Sequence, residues 1–410
     1  SSAASDVYKR QYFNNIINHM NNYFLLPKIN NDINCNDIKL KFQIEPINKI
    51  SLTLKHYLNN IKLQINNNDK WDFVKKYTNA YEFIDTNIPN SNQSISKYKP
   101  LSRSFYKMIE IVNLLNIFDD FKNNNINTFH LAEGPGGFIE ATNYLRNNKS
   151  DKYYGMTLIE PKNNNVPGWD KSSSYLEENP NIIIEKGITG TGDLLSVDNL
   201  KHCNSLYANS MNIITADGGF DFSIDFNKQE LLATNLLFAQ VSFAISMQKI
   251  NGHFILKIFD IFTKTTIDII YLLSTLYKEV YIVKPNTSRM ANSEKYVVCK
   301  YFKKSQPELI NKIISEYHNL QDNPYISSIF NFNIDYYYIN KLEEINAIFG
   351  QQQIENILLT INLINSKNKH KNDKNDKFKI HNVQKCIQWC EKHNIPYNKT
   401  INTNNIFLNN

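Results

Sequence analysis

Between residues 126 and 302 the sequence alternates two periodicities, and that alternation limits what the chain can fold into more than any other feature. Short apolar runs suited to strands fall at 126–132, 153–158, 182–185, 212–216, 253–259, 279–284 and 295–302. Helical runs, 138–146, 228–248 and 263–276, lie between several of them. Strands separated by helices return in the same direction through right-handed crossovers, so the expected fold is α/β, with a mostly parallel, doubly wound sheet. The last two strand runs are joined without a helix and are expected to pair as an antiparallel hairpin at the sheet edge.

The first strand run leads into "HLAEGPGGFIEATNYL", residues 130–145. In open α/β sheets, nucleotide-like ligands bind outside the carboxyl ends of the strands. Gly134, Gly136 and Gly137 remove side chains at that end, so main-chain amides approach a ligand closely and the next helix packs against its strand. The spacing is not G-x-G-x-x-G, and no Lys-Ser/Thr pair follows, which points away from a pyrophosphate. Glu133 repels phosphate and attracts an ammonium group. A second acid, Asp193 in "GITGTGDL", follows another glycine-rich turn after the third strand run and is placed for the other side of the same ligand. Taken alone, the two turns fit ordinary strand-to-helix turns with capping acids equally well.

Outside this block, apolar positions at helical spacing from about residue 8 to 90, as in "YFNNIINHMNNYFLL" and "WDFVKKYTNAYEFI", predict a helical N-terminal extension over 1–98. A polar linker spans 89–100, and "SRSFYKMIEIVNLLNIF" (102–118) is a strongly amphipathic helix opening a central domain over 99–305. Residues 306–410 are expected to form a helical C-terminal extension: "YYYINKLEEINAIFGQQQIENILLTINLI", a charged linker near 366–378, and a short final helix "NVQKCIQWCEKHN".

The 410 residues, 42% of them hydrophobic, suffice for one large domain with additions or for two domains. A net charge of +6 suits an anionic polymer as partner, but many proteins with no nucleic-acid partner carry as much. Asparagine runs at 66–68, 123–125 and 163–165 fit solvated loops. Five cysteines, scattered and odd in number, argue against a disulfide framework and for a reducing compartment. Cys386 and Cys390 share one helix face without a second ligand pair and are expected as buried thiols; no metal site is expected. The opening "SSAAS" resembles a cloning remnant, no signal peptide is evident, and the most apolar helical stretch, 231–247, is short for a bilayer and carries Asn235, Gln240 and Ser242. An intracellular protein, cytoplasmic rather than nuclear and without a membrane partner, is therefore expected.

"AEGPGGFIE", "YGMTL", "GTGD", "ADGGFDFS", "GHFILKIFD" and "KPNTSRMANSEKYVVCK", in that order, resemble the FtsJ-like ribose 2′-O-methyltransferases. The "ADGGF" strand end and the "SRxANSExYVVCK" ending resemble the cap-specific mRNA branch, of eukaryotic and large-DNA-virus type. The resemblance covers about residues 102–302 and leaves both flanks uncovered. It implies a Rossmann-like S-adenosylmethionine-dependent methyltransferase sheet, S-adenosyl-L-methionine as cofactor, and capped mRNA as partner, with other capping enzymes or an RNA polymerase as further partners. Cofactor contacts then fall on Glu133, Gly134, Gly136, Gly137, Phe138, Asp193 and Asp217.

The family's catalytic Lys-Asp-Lys-Glu tetrad maps onto Lys107 in "SRSFYKM", Asp217 in "TADGGF", Lys257 in "FILKIFD" and Glu294 in "ANSEKYVV". A ribose hydroxyl is a poor nucleophile, and methyl transfer from a sulfonium is an in-line displacement, so alignment and partial deprotonation are what a protein can supply. Lys257 is expected to take or activate the hydroxyl proton, and Lys107 to position the hydroxyl and lower its neighbour's proton affinity. Asp217 and Glu294 are expected to hold the amines in place. Singly, each residue fits a surface or turn role; the four in order point to catalysis.

By the same resemblance, Arg103, Ser288, Arg289 and Asn292 border an RNA groove. Tyr106, Trp169, Phe220 and Phe222 are candidate platforms for a cap guanine. Two other readings stand beside the first: a 2′-O-methyltransferase of ribosomal or other structured RNA, and a non-catalytic RNA- or partner-binding module on a methyltransferase fold.

Overall fold

A computed structural model describes residues 22–66, 68–160, 166, 168–219, 226–320, 323–366 and 368–399. Phe220, Phe222, the opening "SSAAS" and most of the first predicted N-terminal helix lie outside the described residues. In chain order the regular elements start with β1 (Tyr23–Leu25), β2 (Ile38–Phe42), α1 (Leu52–Asn66), α2 (Trp71–Thr78) and α3 (Ser104–Leu115). Next come β3 (Asn127–Leu131), α4 (Gly137–Arg146), β4 (Lys152–Met156), α5 (Ser173–Glu178), β5 (Ile182–Ile184), α6 (Val197–Tyr207) and β6 (Met211–Ala216). Then follow α7 (Gln229–Leu232), α8 (Thr234–Met247), β7 (Gln248–Ile258), α9 (Lys264–Leu276), β8 (Tyr277–Val283) and β9 (Lys295–Phe302). The last are α10 (Pro307–Tyr317), β10 (Ile326–Phe330), α11 (Tyr336–Asn365) and α12 (Asn368–Lys392).

Eight strands form one sheet in the order β1-β8-β9-β7-β6-β3-β4-β5. Strands β3, β4, β5, β6 and β7 are mutually parallel, as helical crossovers require. The antiparallel pairing is confined to one end, where β9 runs opposite to both β7 and β8. The helix α9 carries the chain past one strand position before β8, and β9 fills the gap, so the hairpin is inserted into the sheet rather than appended to it. The outermost strand at that end is β1, antiparallel to β8.

Side-chain parity assigns each strand residue to a layer. On β7, Phe254, Leu256 and Ile258 join the core under α8 and α9, while Ile255 joins the core under α3, α4 and α12. Lys257, two residues after Ile255, therefore emerges on the α3 side. On β9 the same rule sends Val297 and Cys299 one way and Tyr296 and Val298 the other. Strand β7 is buried from Gly252 to Ile258 except at Lys257, as a central parallel strand should be.

The flanks differ from the expectation of purely helical extensions. The N-terminal flank contributes β1 to the main sheet, and β2 pairs antiparallel with β10 in a separate two-stranded sheet. Period-2 burial in "IKLKF" (buried, exposed, buried, exposed) is the local cause, and a partner strand more than 280 residues away completes it. The charged segment expected as a linker near 366–378 instead falls within α12, whose buried end carries Cys386, Trp389 and Cys390 into the core against α3. The two flanks bond to each other: Thr78 Oγ1 meets Thr360 Oγ1 at 2.7 Å, and Asn382 Nδ2 donates to the Tyr77 carbonyl at 2.8 Å. Among the described residues no helix is long and apolar enough to cross a membrane.

One buried histidine on β7 titrates out of its usual range. The Tyr301 amide donates to His253 Nδ1 at 3.2 Å, so the ring proton sits on Nε2 and is shared with Asp120 Oδ2 at 3.3 Å. Burial, aided by the Lys300 charge, pushes the imidazole down to about 4. The unfolded chain takes up this proton near pH 6.5, so stability is complete above that value and declines as pH falls from about 6.5 to about 4. Over that range protonation costs the fold roughly 3 kcal/mol. Thermal unfolding of His253→Gln should fall less steeply between pH 7 and 4.5 than that of the natural chain; parallel curves would refute the assignment.

Candidate active site

A cleft of about 860 Å³ opens at the carboxyl ends of β3, β6 and β7, and Glu133, Gly134, Asp193, Asp217, Lys257 and Glu294 line it. At one end is the glycine turn between β3 and α4. Thr215 donates its only hydroxyl proton to Glu133 Oε1, so His130 Nδ1–H must donate to Thr215 (2.7 Å), and His130 Nε2 accepts from Thr128 (2.8 Å). This buried relay fixes the Glu133 carboxylate. Its other oxygen, Oε2, has no hydrogen-bond partner, although His130 Nδ1 lies 3.4 Å away. Burial pushes this carboxyl up, which a cation in the cleft would reverse.

Glycine is required at two points of this end. A Cβ on Gly134 would strike the Gly168 carbonyl oxygen, and one on Gly192, which sits at φ +65°, would strike the Thr157 carbonyl. Gly136, Gly137 and Phe138 do not line the cleft. Gly137 lets Ser102 and Ser104, at the start of α3, pack on the turn, and Phe138 is wholly buried near Tyr296. Asp193 lies on the wall with Oδ1 accepting the Leu195 amide at 2.8 Å.

At the centre two lysine–carboxylate pairs meet. Lys107 Nζ, from α3, lies 2.8 and 2.9 Å from the two oxygens of Glu294. Lys257 Nζ donates to the Asp217 main-chain oxygen at 2.6 Å and stands 3.3 Å from its carboxylate. The Tyr296 hydroxyl donates to the same carboxylate oxygen at 3.0 Å. Burial raises the Glu294 carboxyl, but the charges of Lys107, Lys257 and Lys284 outweigh it and bring it down to about 2. Lys257, Asp217 and Glu294 face the cleft, whereas Lys107 stands behind Glu294.

The loop from β8 to β9 is held by charges that sequence reasoning missed. Lys284 is buried and donates to the Asn292 carbonyl (2.6 Å), the Asn292 side chain (2.9 Å) and the Glu294 carbonyl (2.8 Å). Burial, with the Lys295 charge, pushes this amine well down. Ser288 is buried and donates to Glu294 Oε1 at 2.9 Å, so it positions the carboxylate instead of facing the groove. Arg103 and Arg289 do line the cleft, and both pair with Glu82, which is fully buried: Arg289 binds it through two nitrogens (2.7 and 3.0 Å) and Arg103 through Nη1 at 3.1 Å. A lysine ending an apolar strand, in "VYIVKP", was the one signal available for Lys284; nothing local marks Glu82.

The candidate aromatic platforms separate. Tyr106 is buried, and its hydroxyl donates to the Tyr98 carbonyl. Trp169 packs over Gly136 and Gly155 beside Tyr175 and Leu176, outside the cleft lining.

The strand order and the cleft at the strands' carboxyl ends define a Rossmann-like methyltransferase fold. Residues 100–302 match the FtsJ-like methyltransferase family, and this part of the chain is an FtsJ-like methyltransferase domain. Similar proteins include the cap-specific mRNA (nucleoside-2′-O-)-methyltransferase 1 of Mus musculus, 36% identical over 190 residues, which make up 44% of this chain and 22% of that protein. The Homo sapiens protein of that name is 38% identical over 178 residues, 42% of this chain and 21% of the relative. The cap-specific mRNA (nucleoside-2′-O-)-methyltransferase 2 of Danio rerio is 28% identical over 291 residues, 64% of this chain and 37% of the relative. The chain thus spans about a fifth of the length of the first two relatives. A solved structure of human methyltransferase-like protein 13 in complex with SAH aligns at 11% identity and a TM-score of 0.35, over 57% of this chain and 97% of that one.

Glu82 offers a test of the site's scaffold. Its substitution by alanine leaves two guanidinium groups without their buried partner and should cost about 3 kcal/mol in urea unfolding. A loss below about 0.5 kcal/mol, the scale of an ordinary surface change, would mean that the pairing is incidental.

Proposed function

We propose that the chain transfers a methyl group to the ribose 2′-hydroxyl of a nucleotide next to the 5′ cap of mRNA, with Lys107, Asp217, Lys257 and Glu294 as its catalytic set. The observation that carries this reading is the meeting of two amines and two carboxylates, from α3, the end of β6, β7 and the turn into β9, beside the glycine turn. The names of the relatives supply the substrate class.

The residues present fit the cofactor. The free Glu133 oxygen suits the ammonium of an amino acid, Gly134 and Gly192 leave the main chain bare, and Asp193 on the far wall suits ribose hydroxyls. S-adenosylmethionine, when bound, supplies a methyl group on a positively charged sulfonium. Lys257, held on two sides by the Asp217 carbonyl and carboxylate, engages the attacking hydroxyl, and in its neutral amine form it takes the hydroxyl proton as the oxygen–methyl bond forms and the sulfonium–methyl bond breaks. Glu294, kept ionised by Lys107, sets the charge and position of the opposite wall. Arg103 and Arg289 face the RNA backbone from the rim, their forks oriented by Glu82.

Tritiated methyl transfer to short capped and uncapped RNAs tests both parts of the reading. Capped RNA should be labelled preferentially, and Lys257→Ala should lower the rate at least ~100-fold. Wild-type rates in that variant would remove the mechanism, and equal labelling of both RNAs would remove the cap as substrate. Separately, Gly134→Ala should abolish calorimetric binding of S-adenosylhomocysteine while leaving RNA affinity unchanged; retained binding would show that the cofactor lies elsewhere.

A further inference from the structure

The cleft does not end at Glu294. Past it the wall is built by the flanks: Lys62, Ile65, Trp71, Lys75 and Asn79 come from α1, α2 and the residue capping α2, and Gln353 comes from α11. All six lie outside residues 100–302, which match the family. Trp71, Lys75 and Asn79 are spaced by four, so they form one row along the helix face that meets the cleft.

Two observations point to a ligand. Asn79 is only 5% exposed, yet neither its Oδ1 nor its Nδ2 has a hydrogen-bond partner. Its main chain is fully engaged, with the amide donating to the Lys75 carbonyl at 3.1 Å and the carbonyl accepting from Asn382 Nδ2 at 3.3 Å. The backbone is fixed and the side-chain amide is left with one acceptor and one donor group open, a costly arrangement unless something in the cleft completes it. About two helical turns before it, Trp71 is half-buried and packs with Ile65 and Ala291 in a small apolar cluster, a flat surface of the kind on which a planar ring stacks. Lys62, Lys75, Arg103 and Arg289 give the surrounding wall its cations.

An amide that presents an acceptor and a donor side by side complements the edge of a nucleobase, where donor and acceptor also alternate. An aromatic face accepts any base by stacking. We infer that the flank-built end of the cleft is a subsite for two neighbouring nucleobases of the RNA, one stacked on Trp71 and the next bonded along its edge by the Asn79 amide. The inference rests on the reading of RNA as substrate. It makes the extensions part of the substrate site, joined there through the bond of Gln353 Nε2 to the Ala291 carbonyl at 2.9 Å.

Binding of a short, fluorescently labelled, capped single-stranded RNA to the full chain tests this without cofactor turnover. Wild type should bind, with quenching of tryptophan emission. Trp71→Ala should weaken binding between about 5-fold and about 100-fold and remove most of the quench, and Trp71→Phe should restore much of the affinity. Asn79→Ala should weaken binding by at least about 5-fold while the Trp71 quench at saturation remains. Calorimetric titration of each variant with S-adenosylhomocysteine checks that it is folded. Affinities of Trp71→Ala and Asn79→Ala equal to wild type would overturn the subsite and leave the catalytic reading standing. Absence of RNA binding by the wild type would overturn both.

Discussion

The site depends on one half-buried carboxylate and the cations that keep it ionised. Glu294 sits where a neutral acid would be the cheaper species. It stays charged because Lys107 reaches it from α3, Ser288 donates to it, and the charges of Lys257 and Lys284 add to the field. An uncompensated charge at that depth would cost several kcal/mol, so the loop that carries Glu294 and the helix that carries Lys107 must keep their relative position. The same loop is fastened twice more to α3 and its surroundings. Glu110 of α3 accepts from the main-chain amides of Asn286 and Thr287 at 2.7 and 3.0 Å, and Glu82 holds Arg289 together with Arg103. Charged groups held for these reasons form a frame in which the geometry of the cleft and folding stability are coupled.

That frame draws the extensions into the domain. Glu82 belongs to the N-terminal flank, Trp389 of α12 donates to Glu110 at 3.4 Å, and Asn346 of α11 donates to the Ile261 carbonyl at 2.6 Å. A strand from the N-terminal flank closes the sheet edge beside β8, satisfying main-chain groups that would otherwise be exposed. The flanks thus shape the mouth of the cleft opposite the glycine turn and carry it beyond residues 100–302.

The legible parts were those encoded locally. Alternation of strand and helix periods between residues 126 and 302 gives the parallel sheet, because period-2 and period-3.6 patterns each expose a face that another element must cover. The glycine turn was legible as bare main chain at a strand end, which an ordinary strand-to-helix turn also provides, and only the resemblance tied it to a ligand. Ordered motifs placed Lys107, Asp217, Lys257 and Glu294 in one frame by resemblance, and strand parity sends Lys257 to the side of α3 that carries Lys107. Less was visible in the flanks. "YFL" at 23–25 carries an apolar run that fits a helix as well as a strand, and it is a strand because β8 presents an open edge. The charged segment after residue 366 looks like a linker by composition, and the core contacts of Cys386 and Trp389 draw it into a helix.

By itself, then, the sequence determined the order of strands and helices between residues 126 and 302 and the bare turn after β3, and its resemblance to a family singled out the four charged residues brought together at that turn's side. Tertiary structure alone decided where β9 enters the sheet, which face of each flank meets the cleft, and which groups surround Glu82, Lys284 and Asn79. The reason is physical: periodicity is a property of neighbours in the chain, whereas the cost of burying a charge or an amide depends on partners that only folding brings within hydrogen-bond reach.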